Sequence, residues 1–102
     1  MEKWTLYVGL NDKDTKTQLI EELEAYKVVR NLLLNYTDGA TVYSAMGLYK
    51  HEDGTFVTEK TFRIELLFVE KPTVKEIVSQ LKILLNQESV AVQREVVESE
   101  LW

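Results

Sequence analysis

The sequence predicts an α+β fold: a four-stranded antiparallel sheet with two helices on one face, in the order strand, helix, strand, strand, helix, strand. Three observations predict it. Residues 40–50 and 55–69 read as two long strands joined by His51-Glu52-Asp53-Gly54. On each side of this hairpin the apolar spacing becomes helical, once over residues 19–36 and once over 73–85. Near each end of the chain, at 4–10 and 90–98, apolar and polar residues alternate as in a half-buried strand.

In the first strand Trp4, Leu6, Val8 and Leu10 share one face, and Thr5, Tyr7 and Gly9 the other. A polar loop follows over 11–17. The first helix is expected to bury Leu23, Tyr26, Val29, Leu33 and Tyr36 as one stripe, with Thr15, Thr17 and Gln18 competing as caps. Thr37-Asp38-Gly39 then turns the chain into the hairpin.

The hairpin register follows from its loop. A three-residue loop, Glu52-Asp53-Gly54, suits a type I turn closed by a left-handed glycine. His51 and Thr55 then face each other, which pairs Val42 with Ile64, Tyr43 with Arg63, Ala45 with Thr61 and Gly47 with Glu59. A one-residue slip would mix the two faces, which a half-buried sheet resists. Met46, Leu48, Lys60 and Thr58 leave the inner face polar near the tip, so the hairpin should project beyond the helices.

Lys71-Pro72-Thr73 ends the third strand, and Thr73 with Glu76 reads as a capping box for the second helix. Val74, Ile77, Leu81 and Leu84 form its expected buried stripe, edged by Val78 and Leu85. The fourth strand places Val90, Val92 and Val96 on one face. These elements assemble most simply as the split β-α-β arrangement of ferredoxin-like folds, with strand order 4-1-3-2 and right-handed crossovers, as one domain over 1–102. That topology gathers the 11–17 loop, the hairpin tip and the 86–89 turn at one end. It also makes the first and fourth strands neighbours and brings Trp4 towards Trp102.

Composition narrows the function. Acidic residues outnumber basic ones, 17 to 12, with no basic cluster, which disfavours nucleic-acid backbone binding. There is no cysteine, which excludes a disulfide, a thiolate nucleophile and a cysteine metal site. No apolar run is long enough for a membrane span, and the amino-terminal residues do not read as a signal peptide. The expected setting is the cytoplasm.

Two groups of residues are candidates for function. The uncovered sheet face carries Tyr7, Tyr43, Ala45, Gly47, Glu59 and Arg63. Tyrosine beside glycine and alanine suits a closely packed partner, and a second subunit is preferred over a ligand. The crowded polar end carries Asp12, Asp14, His51, Gln87 and Glu88. A cation site from Asp12, Asp14 and Asp53 competes there with ordinary loop polarity, and the loop lacks the glycine and distal glutamate of a calcium motif. No catalytic constellation, metal site or cofactor motif is read, and His51 has no nucleophile motif beside it.

Asp38-Gly39-Ala40-Thr41-Val42, followed by Gly47, Asp53-Gly54 and Glu59, resembles the nitrogen-regulatory PII-like superfamily. Together with Gln87-Glu88-Ser89-Val90 it resembles more specifically a family of small uncharacterised bacterial proteins with D-G-x-T-V and Q-E-S-V motifs. The resemblance covers residues 38–90. It implies a ferredoxin-like fold and a trimer with sites between subunits, and it carries over no catalytic residue. The three-residue hairpin loop departs from the long mobile loop of PII proteins. The expectation is a homo-oligomeric, dimeric or trimeric, binding or regulatory module with a small-molecule ligand. The alternative is a small enzyme of the dimeric α+β barrel type, its pocket lined by Tyr43, Arg63 and Glu59.

Overall fold

The computed structural model describes residues 1–102. The elements run β1 (Glu2–Gly9), α1 (Glu22–Tyr36), β2 (Thr41–Lys50), β3 (Phe56–Leu67), α2 (Lys71–Leu84) and β4 (Ala91–Val96). They form one sheet in the order β2-β3-β1-β4, with every neighbouring pair antiparallel. This is the expected ferredoxin-like topology. The central pair, β3 and β1, supplies the deepest side chains: Leu6, Val8, Ile64 and Leu66 are buried against Val29, Ile77 and Leu81 of the helices. No helix is long and apolar enough to cross a membrane.

The hairpin register is as derived, with Val42 opposite Ile64, Tyr43 opposite Arg63 and Gly47 opposite Glu59. The His51 N–H donates to the Thr55 carbonyl at 2.8 Å, and Gly54 takes φ +91°. Asp53 supports the turn by accepting from the Thr55 N–H at 2.9 Å and the Thr55 hydroxyl at 2.7 Å. β1 stops at Gly9, opposite Thr61. Beyond that row β2 and β3 continue alone as a two-stranded arm.

The helices correct three expectations. α1 buries Ala25, Val29, Leu32 and Leu33, while Leu23, Tyr26 and Tyr36 are exposed. The consecutive Leu32, Leu33 and Leu34 allow two stripes, and the helix uses the one that buries Leu32 and Leu33 with Ala25 and Val29. α2 begins at Lys71, with Pro72 in its first turn and no side-chain cap, so Thr73 forms no capping box. Proline is pre-organised for that turn and starts the helix it was expected to precede. α2 buries Leu85 in place of Leu84, which is half exposed. In β4, Val92 and Val96 are exposed, because the helices leave this edge uncovered. β4 does lie beside β1, as expected, but Trp102 is fully exposed and joins no core contact with Trp4.

Candidate functional site

Members of both expected groups of functional residues meet in one cleft, Tyr7, Gly47 and Glu59 from the one and Asp12, His51, Gln87 and Glu88 from the other. The path to it begins at the end of α2, which closes in a Schellman motif. The Gln87 N–H donates to the Lys82 carbonyl at 2.9 Å, and Asn86 takes φ +47°. Asparagine tolerates this left-handed position. That turn aims both amides at the β1–α1 loop. Asn86 Nδ2 donates to Asp12 Oδ1 at 2.7 Å and to Asp14 Oδ2 at 2.9 Å, and the Lys13 N–H donates to the Asn86 carbonyl at 3.0 Å. Buried Gln87 donates through Nε2 to the Asn11 carbonyl at 2.8 Å.

These bonds hold Asn11 in place, and its N–H donates to Glu59 Oε2 at 3.0 Å. The Glu59 carboxylate lies flat over Gly9, where a Cβ would overlap it. Across the hairpin, a Cβ on Gly47 would stand 2.8 Å from Thr61 Oγ1 and 3.6 Å from Glu59 Cγ. The two glycines therefore make a slot for one glutamate. Its second oxygen, Oε1, accepts no protein hydrogen bond and is free for a partner.

Around this carboxylate is a cleft of about 690 Å3. Tyr7, Gly47, Glu59 and Thr61 line it from the sheet. Asp12, Lys13 and Lys16 line it from the first loop, Tyr49 and His51 from the arm, and Gln87 and Glu88 from the α2–β4 turn. Tyr43, Ala45, Arg63 and Asp14 lie outside it. Asp12, Asp14 and Asp53 do not converge on a cation: the first two share Asn86, and Asp53 is occupied by Thr55. The Asn86 amide and the Thr15 N–H hold the Asp12 carboxyl below its usual range. Asn11 and Asn86, which brace Glu59 and the first loop, are the residues of the site that the candidate groups did not include. The available signal was Asn86 at a helix end, where asparagine commonly takes the left-handed position.

Further along the open face is a second polar cluster. Lys3 Nζ meets Glu65 Oε2 at 2.6 Å, and Arg63 Nη2 is 3.7 Å from the same oxygen. The Arg63 guanidinium carbon stands 5.4 Å from the Tyr43 ring centroid. Lys3 first, then the Tyr43 hydroxyl, hold the Glu65 carboxyl below its ordinary value. Glu65 in turn raises the pKa of Tyr43 and of Lys3. A larger groove of about 1210 Å3 lies at the opposite end, bordered by the α1–β2 turn, the β3–α2 junction and the segment after β4. Lys3 and Glu65 border it but neutralise each other, and its other carboxylates, Asp38, Glu70 and Glu98, are not fixed by a hydrogen bond as Glu59 is.

These features define a ferredoxin-like α+β domain with a carboxylate-centred cleft at its hairpin end. Residues 3–100 match the family of proteins of unknown function called DUF3574, and the chain belongs to that family. No curated protein matches it in sequence. Solved structures share the fold. A phage SAM lyase in complex with S-methyl-5'-thioadenosine is 22% identical, with a TM-score of 0.71 over 92% of this chain and 79% of the lyase. The divalent cation tolerance protein CutA from Archaeoglobus fulgidus is 13% identical, with a TM-score of 0.63 over 99% of this chain and 88% of that one. CutA1 from Oryza sativa is 12% identical, with a TM-score of 0.61 over 99% and 84%.

Proposed function

We propose that this chain is a self-associating, PII-like small-molecule-binding module whose ligand site is the cleft around Glu59. The observation that carries the reading is the Glu59 carboxylate, which lines the cleft: one oxygen is fixed by the Asn11 N–H, and the other accepts no hydrogen bond within the chain. An acceptor oriented in advance loses little freedom on binding and favours a ligand group that is cationic or donates a hydrogen bond. The test is a thermal-shift screen against nucleosides, amino acids and polyamines, on the wild type and Glu59→Gln. A ligand that binds only the folded state raises the melting temperature. Stabilisation of the wild type by at least one of these classes, lost in Glu59→Gln, is expected. An equal response from both proteins would sink the reading.

The charges distribute the two roles between the faces. The cores of subunit interfaces are depleted of charge, yet the open face carries Lys3, Glu59, Arg63 and Glu65. The arm's opposite face exposes Met46 at 57%, Leu48 at 73% and Phe56 at 78%. Self-association is therefore assigned to the arm and ligand binding to the open face. Light scattering should give wild-type protein a mass above that of the monomer, and Met46→Ser with Phe56→Ser should return it to one chain. A monomeric wild type at micromolar concentration would reject the assignment.

A second reading is enzymatic. It is favoured by the place of Glu59 beside Tyr7 and Tyr49 in one cleft and by the fold shared with the SAM lyase. A carboxylate with one free oxygen can act as an acid–base group. Chromatography of S-adenosylmethionine incubated with the protein would support this reading if S-methyl-5'-thioadenosine formed faster than in a Glu59→Gln control.

A further inference from the structure

We infer that the open face holds a two-point site for a zwitterionic small molecule, with its cationic group at Glu59 and its carboxylate at Arg63. The Glu59 half rests on the binding reading above; the Arg63 half has its own evidence.

The sheet register arranges this face in rows. Tyr43, Arg63 and Tyr7 form one row, Ala45, Thr61 and Gly9 the next, and Gly47 with Glu59 the third. A basic row and an acidic row thus flank a row of small residues. Arg63 and Glu59 are four residues apart along β3, which separates their Cα atoms by roughly 13 Å at strand rise. The Glu59 carboxylate lies over Gly9 in the middle row, one row nearer to Arg63 than its own, and an extended small molecule bridges the rest. Tyr7 belongs to both regions: it lines the cleft and is the register partner of Arg63.

Arg63 has five N–H donors, and none makes a hydrogen bond within the chain. Its approach to Glu65, at 3.7 Å, is beyond hydrogen-bond range, and that carboxylate is already held by Lys3 at 2.6 Å. Arg63 Nε is buried without a partner. The guanidinium is positioned over Tyr43 and half exposed, so its outer nitrogens can be reached. A planar fork with its donors unspent matches a carboxylate, which it binds through two parallel bonds. A singly charged carboxylate fits better than a phosphate dianion, because Glu65 is close by and the chain carries a net charge of −5.

The test is isothermal titration with three probes: S-adenosylmethionine, its decarboxylated form, and S-methyl-5'-thioadenosine. The first is a zwitterion, the second keeps only the cationic groups, and the third is neutral. S-adenosylmethionine should bind tightest, with the carboxylate contributing about tenfold or more, as a close charge pair does. Arg63→Gln, shown to be folded by an unchanged melting profile, should bind S-adenosylmethionine and its decarboxylated form equally. Lys16→Gln, at the cleft rim, should keep the carboxylate's advantage. The inference is overturned if none of the probes binds, if the carboxylate adds nothing, or if its advantage survives Arg63→Gln. Loss of that advantage in Lys16→Gln would place the anion at the rim and overturn it equally. If instead all three affinities are indifferent to Glu59→Gln, the cleft reading itself fails, whatever Arg63 does.

Discussion

Gly9→Ala is the sharpest probe of how the site is built. The new Cβ overlaps the Glu59 carboxylate, which lies at the end of a flexible side chain and can swing away. Swinging away breaks the bond from the Asn11 N–H. A hydrogen bond to a charged group contributes about 1.5–3 kcal/mol. Replacing glycine restrains the unfolded chain and returns about 0.4–1 kcal/mol. The net loss is roughly 1–2 kcal/mol, and at about 4–8 °C per kcal/mol for a domain of this size the melting temperature should fall visibly. The decisive measurement is a double-mutant cycle by urea denaturation. In a Glu59→Ala background no carboxylate is left to displace, so Gly9→Ala should be neutral or slightly stabilising. An equal cost in both backgrounds would refute the proposed contact.

Two further outcomes follow from the geometry. At Gly54, φ is +91°, so Gly54→Val should destabilise the fold by roughly 1–2 kcal/mol, because β-branched residues resist positive φ; an unchanged urea midpoint would contradict this. The Glu65 carboxyl is depressed by Lys3 and Tyr43, so its contribution is present above the ordinary glutamate value and lost as pH falls through the depressed one. Lys3 is raised by the same pair, so its contribution is present below the ordinary lysine value and lost as pH rises through the raised one. Urea midpoints measured against pH should therefore show flatter acid and alkaline limbs in Glu65→Gln, and limbs identical to the wild type would discount the pair.

Much of the fold was legible because local chemistry and long-range pairing agree. Asp53-Gly54 sets the loop, the loop sets the register, and the register sorts Ile64 from Arg63. The α1 stripe was not legible, because Leu32, Leu33 and Leu34 fit more than one rotation and only packing in the assembled core selects the one that buries Ala25. Pro72 looked like a strand breaker because proline serves both purposes, and the chain uses it to begin α2. At the site, the topology correctly put three loops together. The tie between Glu59 and Asn11 was hidden, since it joins residues 48 positions apart through a backbone N–H that carries no side-chain signal.

The end of β1 at Gly9 has a consequence for motion. Inward of that row β3 is bonded on both edges, and the Leu10 N–H donates to the Lys60 carbonyl at 2.9 Å as the last link on the β1 side. Outward, the arm is a ribbon that a two-stranded hairpin barely holds in water. Amide hydrogens of Tyr49 and Val57, which pair with each other across the arm, should therefore exchange through local fraying, while those of Leu6 and Ile64 should exchange only on global unfolding. Glu59 sits at the boundary of these two regimes. An occupant bound there would pin the root of the arm and slow exchange towards its tip.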